Sequence, residues 1–321
     1  MKYQPTKKTD QLLQLEALVP RLKRSHPAYS ELYHTFGKDL SGYYGERNLR
    51  YYFEFIDSVK GVHLSGLRLR GSTFFTQLDH LIMTARVLFI IEVKNRKGLI
   101  LKNQHGQYVQ EYDRERVTFD NPENQAAIQA RQLDYILRRH GLPAIPIVWL
   151  VAFPHKTVQL DSSITSPNVM VAQETSFFIN DYLKKTARIH YNDHQLNQTK
   201  RLFTKLHEPR LVNLIEENNI RREDLNLGVL CSSCRSEFVE RNYATWTCAK
   251  CGLSDSRLHI QALRDYAHLF EPKINNRTAR WWMGVECTGL TYRLLSEFPV
   301  VNEVGRKAVE YDLSSLLKNN F

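Results

Sequence analysis

Residues 87–94 read Val87-Leu88-Phe89-Ile90-Ile91-Glu92-Val93-Lys94. An apolar run ends in an acid and a base two positions apart. The β-branched and aromatic content and the short length predict a strand. Side chains alternate along a strand, so Glu92 and Lys94 share one face. A carboxylate or an ammonium at the end of so apolar a run is costly unless it is paired or bound to a metal. Thirteen residues before Glu92 lies Asp79, a hairpin away. Two acids and a base around one strand end can hold a divalent cation and activate a water beside it. The plainer alternative is a structural Asp79 with a Glu92–Lys94 pair on an exposed sheet face.

Working outward, Val62 to Arg70, Phe74 to Met83 and Val87 to Asn95 read as strands. The turn Thr84-Ala85-Arg86 is short, which predicts an antiparallel hairpin. In the middle strand, alternation puts Leu78 and His80 on one face and Asp79 and Leu81 on the other. A helix is expected from Gly45, because Leu49, Tyr52, Phe53 and Ile56 follow helical spacing. Glu46 falls on its inward face; taken alone, it reads as a first-turn acid offsetting the helix dipole. Another strand is expected at Tyr108 to Tyr112. Asn121-Pro122 opens a second helix, with Asn as N-cap and Pro at the first helical position, and Gly141 with Pro143 stops it. Ile145 to Phe153 reads as a strand buried on both faces, and Val169 to Ala172 as one more. Helix, three strands, helix and strand make an α/β sandwich on a mixed sheet. Gln125, Gln129 and Gln132 form an amide row on the second helix. It faces either the acidic strand end, a DNA backbone or plain solvent.

Asp79 and Glu92 each offer an oxygen to Mg²⁺, a hard cation that favours carboxylates, and the Val93 carbonyl is a further candidate ligand. Lys94 is placed to orient a metal-bound water or to stabilise charge on a phosphate.

The 321 residues carry a net charge of +10 and a pI near 9.3, a balance that suits a polyanionic partner. With 42% hydrophobic residues the chain can bury a sizeable core. No apolar run reaches the ~18 residues of a membrane helix, and the first thirty residues lack a signal-peptide core. A cytoplasmic, reducing location is therefore expected, and the five cysteines do not read as a disulfide scaffold.

Gly45-Glu46, Gln77-Leu78-Asp79-His80, Ile91-Glu92-Val93-Lys94-Asn95 with Gly98, and Asn121-Pro122 with Gln125 together resemble the nuclease-related domain family. That family resembles the PD-(D/E)XK nuclease superfamily. The likeness covers about residues 41–155. It implies that Glu46 is the helix acid near the metal, Asp79 the principal ligand, Glu92 the second ligand and Lys94 the catalytic lysine. Gln125 matches the glutamine of the helix after the core strands. Leu78 stands where the superfamily often has proline. Some superfamily members bind DNA without cutting it, so a non-catalytic, DNA-binding or regulatory scaffold is the alternative expectation.

Cys231-Ser232-Ser233-Cys234 and Cys248-Ala249-Lys250-Cys251 are two CxxC pairs separated by thirteen residues. Two such knuckles close a tetrahedral Cys₄ site, so a zinc ribbon with structural Zn²⁺ is expected, and so small a ribbon should need the metal to fold. Cys287 stands apart and reads as a packed thiol.

Beyond the ribbon, helices are expected from Leu258 to Phe270, after Asn276 as a cap, and from Thr288 to about Phe298. A hairpin follows, over Val300 to Val304 and Ala308 to Leu313. Three helices and a hairpin resemble a winged helix; a small packing or dimerisation domain is the plainer alternative. Thr288, Thr291 and Arg293 are then the candidate groove contacts, with Arg306 and Lys307 on the wing near phosphates. Glu286 and Glu297 would weaken such contact if they faced it.

The expected organisation is an N-terminal helical segment (1–40), a nuclease-like domain (41–175), a charged helical linker (176–225), the ribbon (226–256) and the winged-helix-like module (257–321). The expected activity is metal-dependent hydrolysis of DNA phosphodiesters with Mg²⁺ or Mn²⁺. DNA is the expected partner, with no membrane. The C-terminal modules are candidates for a homo-oligomer or protein contact, since a double-strand cut needs two active sites.

Overall fold

A computed structural model describes residues 3–57, 61–302 and 309–317. Among these, helices α1 (Asp10–Leu18) and α2 (Tyr29–Phe53) come first. Strands β1 (Gly61–Arg70), β2 (Phe75–Thr84), β3 (Leu88–Val93), β4 (Gly98–Lys102), β5 (Tyr108–Tyr112) and β6 (Glu115–Phe119) precede α3 (Pro122–Arg139). Then come β7 (Ile147–Phe153), β8 (Val158–Leu160), β9 (Val169–Val171), α4 (Glu174–Lys185), α5 (Asp193–Leu206) and α6 (Leu214–Glu217). Strands β10 (Val229–Leu230), β11 (Phe238–Asn242), β12 (Thr245–Thr247) and β13 (Ser254–Asp255) lead to α7 (Leu258–Leu269). The chain closes with β14 (Lys273–Asn275), α8 (Asn276–Met283), α9 (Thr288–Leu295), β15 (Val300–Asn302), β16 (Glu310–Asp312) and α10 (Ser314–Leu317).

The chain divides into two compact units. One is Asp39–Pro209 with the N-terminal residues up to Lys7; the other is Lys8–Lys38 with Arg210 onward. The boundary falls inside α2. The organisation read from sequence cuts the chain more finely. Its N-terminal segment goes mostly to the second unit, and its helical linker is shared, with α4 and α5 in the first unit and α6 in the second.

In the first unit, the apolar run of residues 87–91 becomes the middle of a mixed five-stranded sheet ordered β1-β2-β3-β7-β9. β3 runs antiparallel to β2 and parallel to β7. Its Leu88 and Ile90 pack in one core cluster with Leu133, Ile136 and Leu137 of α3. Phe89 and Ile91 pack in the other, with Leu49 and Phe53 of α2 and Ile179 and Leu183 of α4. A strand buried on both faces needs no alternation, which explains the unbroken apolar run. Each such side chain contributes about 1.5–3 kcal/mol of transfer free energy.

Three features depart from expectation. The helix expected from Gly45 begins at Tyr29, so Glu46 lies in its interior and does not serve as a first-turn acid. Gly45 punctuates nothing. It is buried, and a Cβ there would meet Asn95 Cβ at 2.5 Å, so close approach, not helix initiation, requires the glycine. Second, Leu78 and Leu81 join the same core cluster where strict alternation would separate them. The alternation slips where Gly66, at φ 61°, crosses β2 beside Asp79. Third, β4, β5, β6 and β8 form a second sheet, ordered β6-β5-β4-β8, of which only β5 was legible. Its β5–β6 turn is Asp113-Arg114, both at positive φ. The pair lacks the glycine that signals such hairpins.

In the second unit, α1, the strands of the cysteine segment and α7–α9 share one continuous core that includes Leu15, Leu18, Trp246, Leu263 and Trp282. The ribbon segment thus packs on a neighbour instead of standing alone. Arg21, wholly buried, ties these parts together. Its guanidinium stacks 4.2 Å from the Trp282 ring centre and donates to the Gly228 carbonyl at 2.8 Å. It also pairs with Asp265 at 3.4 Å. Arg235, just past the first CxxC pair, reaches the same carboxylate at 3.2 Å. The C-terminal part has the expected three helices followed by strands, and adds β14 in a sheet ordered β14-β16-β15. Asn275, not Asn276, caps α8, accepting from the Thr278 amide.

Candidate active site and metal centre

The acidic site forms where β2 and β3 run out of paired residues. The register His80↔Ile91 continues to Asp79 opposite Glu92, so the two acids are cross-strand neighbours. Asp79 accepts a hydrogen bond from the Val93 amide at 2.8 Å; Val93 thus enters the site through its N–H. Lys94 Nζ lies 2.6 Å from Glu92 Oε1 and donates to Gln125 Oε1 at 2.9 Å. Glu92 is 2% exposed, so it is the member least screened by water.

Burial raises Asp79 well above the usual carboxylate range, and the Glu92 and Glu46 carboxylates push it further, against the Val93 amide and Lys94. Glu46 is pushed up to about 7, by burial first and by Glu92 second. Glu46, Asp79, Glu92, Lys94 and Gln125 therefore form one electrostatic group, drawn from α2, β2, β3 with the residue after it, and α3. Three carboxyls crowd one ammonium, and Glu46 and Asp79 answer by holding their protons more tightly. Carboxylate oxygens are the donors a hard divalent cation takes, here two of them from Asp79 and Glu92, since among the described residues only the cysteine group below gathers three or more such ligand atoms within 4.8 Å of one another.

Gln129 belongs to the same site, although its position in the amide row left it ambiguous. It is 4% exposed and donates to Glu92 Oε2 at 2.7 Å and to the Gln77 carbonyl at 2.9 Å. A signal was present: Gln129 shares a helical stripe with Ala126 and Leu133, both fully buried, so it is a polar residue on an apolar face. Gln132 instead accepts from the Ser72 amide at 2.9 Å. Two further supports come from Asn95 and His80, which the sequence motifs contain but to which they gave no role. Asn95 donates to the Ser41 carbonyl of α2 at 2.8 Å. His80 and His63 face each other at 3.0 Å, and the other His80 nitrogen lies 3.2 Å from the Glu46 carbonyl. Burial lowers both rings, to about 4 for His80 and about 3 for His63, so this pair is neutral at ordinary pH.

In the second unit, Cys231, Cys234, Cys248 and Cys251 bring all four sulfurs within 4.8 Å of one another. Cys231 Sγ is 3.5 Å from Cys251 Sγ, and Cys234 Sγ is 3.8 Å from Cys248 Sγ. A tetrahedral cage with Zn–S bonds of ~2.3 Å has sulfurs roughly 3.8 Å apart, so the set fits zinc. Gly252 takes φ 71° just after the second pair, and Arg235 takes φ 51° after the first. Hydrogen bonding to the Ser236 hydroxyl and amide lowers Cys234 to about 6. The Leu253 amide lowers Cys251, while burial raises Cys231 to about 11. Among the described cysteines none forms a disulfide, and Cys287, expected to be packed, is exposed.

On α9, Thr288 and Arg293 are exposed, but Thr291 is fully buried and donates its hydroxyl to the Cys287 carbonyl. It is therefore not a groove contact, because its helical face packs into the core. Glu297 is engaged by Arg257 at 2.7 Å and His259 at 3.2 Å. Arg306 and Lys307 lie outside the described residues. Among the described residues no helix is long and apolar enough to cross a membrane.

Residues 41–154 match the family model of the nuclease-related domain, the span over which the sequence motifs resemble that family. No curated protein and no solved structure matches the chain.

Proposed function

We propose that the first unit is a metal-dependent DNA nuclease. The observation that carries this reading is Asp79, bonded to the Val93 amide, beside Glu92, with Lys94 held between Glu92 and Gln125 and Glu46 raised by the Glu92 carboxylate from the helix side. Asp79 and Glu92, with the Val93 carbonyl, would hold Mg²⁺ or Mn²⁺. When bound, such an ion supplies a water of lowered pKa and polarises the scissile phosphate. The chain's own residues do the rest. Lys94 presents a fixed positive charge to a phosphate oxygen beside the acids. Gln125 holds that ammonium in place, Gln129 orients Glu92, and Glu46 adds a third negative charge from the helix. Preorganised charge of this kind needs no rearrangement during reaction.

The four thiols would hold a structural Zn²⁺ with no open position. Free cysteines suit a reducing, cytoplasmic setting. The second unit, with its winged-helix-like order and the exposed Thr288 and Arg293, would position DNA or a partner chain. The net charge of +10 favours the polyanion.

Lys94 already sits 2.6 Å from Glu92, which satisfies part of the site's charge without an ion. This favours, as the second reading, a DNA-binding scaffold that does not cut. One experiment separates the two. Linear, circular and single-stranded DNA are incubated with the purified protein plus Mg²⁺ or Mn²⁺. Cleavage by wild type that is lost in Asp79→Ala and Lys94→Ala supports the nuclease. Binding without cleavage under either metal supports the scaffold. Variants that cut as well as wild type would remove the site from the reaction.

A further inference from the structure

The hairpin joining β1 to β2 carries the amide row away from the acids. Its turn, Gly71 to Phe74, closes with the Gly71 amide donating to the Phe74 carbonyl at 2.9 Å. Gln132 of α3 accepts from the Ser72 amide at 2.9 Å and from its hydroxyl at 3.3 Å. A Cβ on Gly71 would lie 2.2 Å from Gln132 Oε1, so the turn is fitted closely to the helix. The helix that holds Lys94 and Glu92 through Gln125 and Gln129 thus also holds this tip.

The tip ends in Phe74, which is 77% exposed. A free phenyl ring on a turn anchored to a helix is unusual, because the anchoring gives it a fixed position without burying it. Phe75 beside it is capped by Arg68, 3.6 Å above the ring centre, and Arg70 lies 5.8 Å from the same centre. Neither arginine is in an ion pair among the described residues; Arg68 donates to the Glu208 backbone carbonyl at 3.1 Å, and residues 66–77 contain no acid. An exposed aromatic ring flanked by unneutralised guanidinium groups is complementary to a nucleic-acid strand, offering a stacking platform and phosphate contacts together. A neutral or basic protein partner would find an apolar ring but no match for the charge.

We infer that the tip Arg70–Phe75 binds single-stranded DNA beside the acidic site, with Phe74 stacking on an unpaired base and Arg68 and Arg70 contacting flanking phosphates. This deepens the nuclease reading by naming its substrate class: DNA with an unpaired segment. Asp79 lies five residues along β2 from Phe74, about 17 Å at ~3.3 Å per residue. That distance spans about five stacked nucleotides at ~3.4 Å each, so the unpaired base sits a few nucleotides from the bond cut.

The test is binding by the full-length protein, without added Mg²⁺ or Mn²⁺, to a labelled single strand and to a blunt duplex of the same sequence. A second single strand carries 2-aminopurine at successive positions. Wild type is expected to prefer the single strand and to alter 2-aminopurine fluorescence at one position. Phe74→Ala should weaken single-strand binding about 5- to 100-fold and abolish the fluorescence change, and Phe74→Trp should restore both. Arg70→Ala should lower the salt dependence of binding. Equal single-strand binding by Phe74→Ala, or no single-strand binding by wild type, overturns the inference. The two readings fail separately. Phe74-dependent binding with no cleavage under any metal leaves this inference standing and removes the nuclease. Cleavage of single strands that Phe74→Ala leaves untouched removes this inference and leaves the nuclease.

Discussion

Gln129 donates its side-chain amide to Glu92 across 2.7 Å, in a place where Glu92 is almost fully shielded from water. The bond makes an uncharged residue the support of the most buried acid in the site. Lys94 takes the other Glu92 oxygen, so the carboxylate is held at both ends. Gln129→Leu keeps the bulk and removes the donor. Losing a hydrogen bond to a buried charged group should cost ~1–3 kcal/mol, read as a lower urea midpoint with an unchanged slope. If cleavage is present it should fall as well, with Glu92 no longer fixed. An unchanged midpoint would mean that Glu92 is solvated or protonated instead.

The acids should also set how stability depends on pH. Glu46 is raised from an ordinary 4.5 to about 7. Between those values the folded chain keeps a proton that the unfolded chain has released. The Glu46 contribution to stability should therefore fall as pH rises from about 4.5 to 7; Asp79, raised as well, adds to the same sign, and the lowered His63 and His80 oppose it below about 6.5. Thermal unfolding of metal-free protein across this range checks it. Glu46→Gln should remove the downward contribution and turn the slope toward the rising trend of the histidines, and Mg²⁺ should act in the same direction by neutralising the site. A pH slope that Glu46→Gln leaves unchanged would contradict the charge assignment.

Gly45 offers a test of packing against propensity. Replacing a mid-helix glycine by alanine normally favours the helix by about 0.5–1 kcal/mol. Here the new Cβ would stand 2.5 Å from Asn95 Cβ, and overpacking typically costs 1–3 kcal/mol. The clash should win, so Gly45→Ala should lower Tm. Because Asn95 follows Lys94 and is tied to Ser41, cleavage should drop more than stability does. A Tm raised by the substitution would show that Asn95 moves aside freely.

The cysteine centre predicts one zinc per chain by elemental analysis. Cys248→Ser should lower that content and destabilise the second unit, since Cys248 lies in the same core as Trp246 and Trp282. Metal binding requires thiolates, and Cys234 is lowered to about 6. Zinc affinity should therefore fall as pH drops below about 11, where Cys231 takes up a proton, and fall most steeply below about 6, where Cys234 does so too. A chelator titration at several pH values measures the trend; affinity independent of pH would exclude thiolate ligation.

The acidic site was legible because its residues break local rules: Glu92 and Lys94 interrupt an apolar strand, and Asp79 sits within a hairpin's reach. The cysteine pairs were legible for a similar reason, since metal ligation fixes their spacing. Most strands of the central sheet could be read from periodicity and turn chemistry. Gln129 was less clear, because an amide is compatible with either face of a helix until the packing is known. Thr291 and Cys287 were misplaced for the same reason: a short helix does not reveal which face its neighbours cover.

The sequence by itself determined the mixed-sheet core, the strand-end acids with their lysine, and the two thiol knuckles, all features encoded over a few residues. Tertiary structure alone decided that α2 runs through Gly45, bringing Glu46 to the acids, and that α3 links Lys94, Glu92 and the Phe74 hairpin through Gln125, Gln129 and Gln132. It also joined Arg21, just after α1, to Arg235 of the cysteine segment through the Asp265 carboxylate of α7. These contacts join residues far apart in the chain, where periodicity carries no information. They form because a buried charge must find a partner wherever packing brings one.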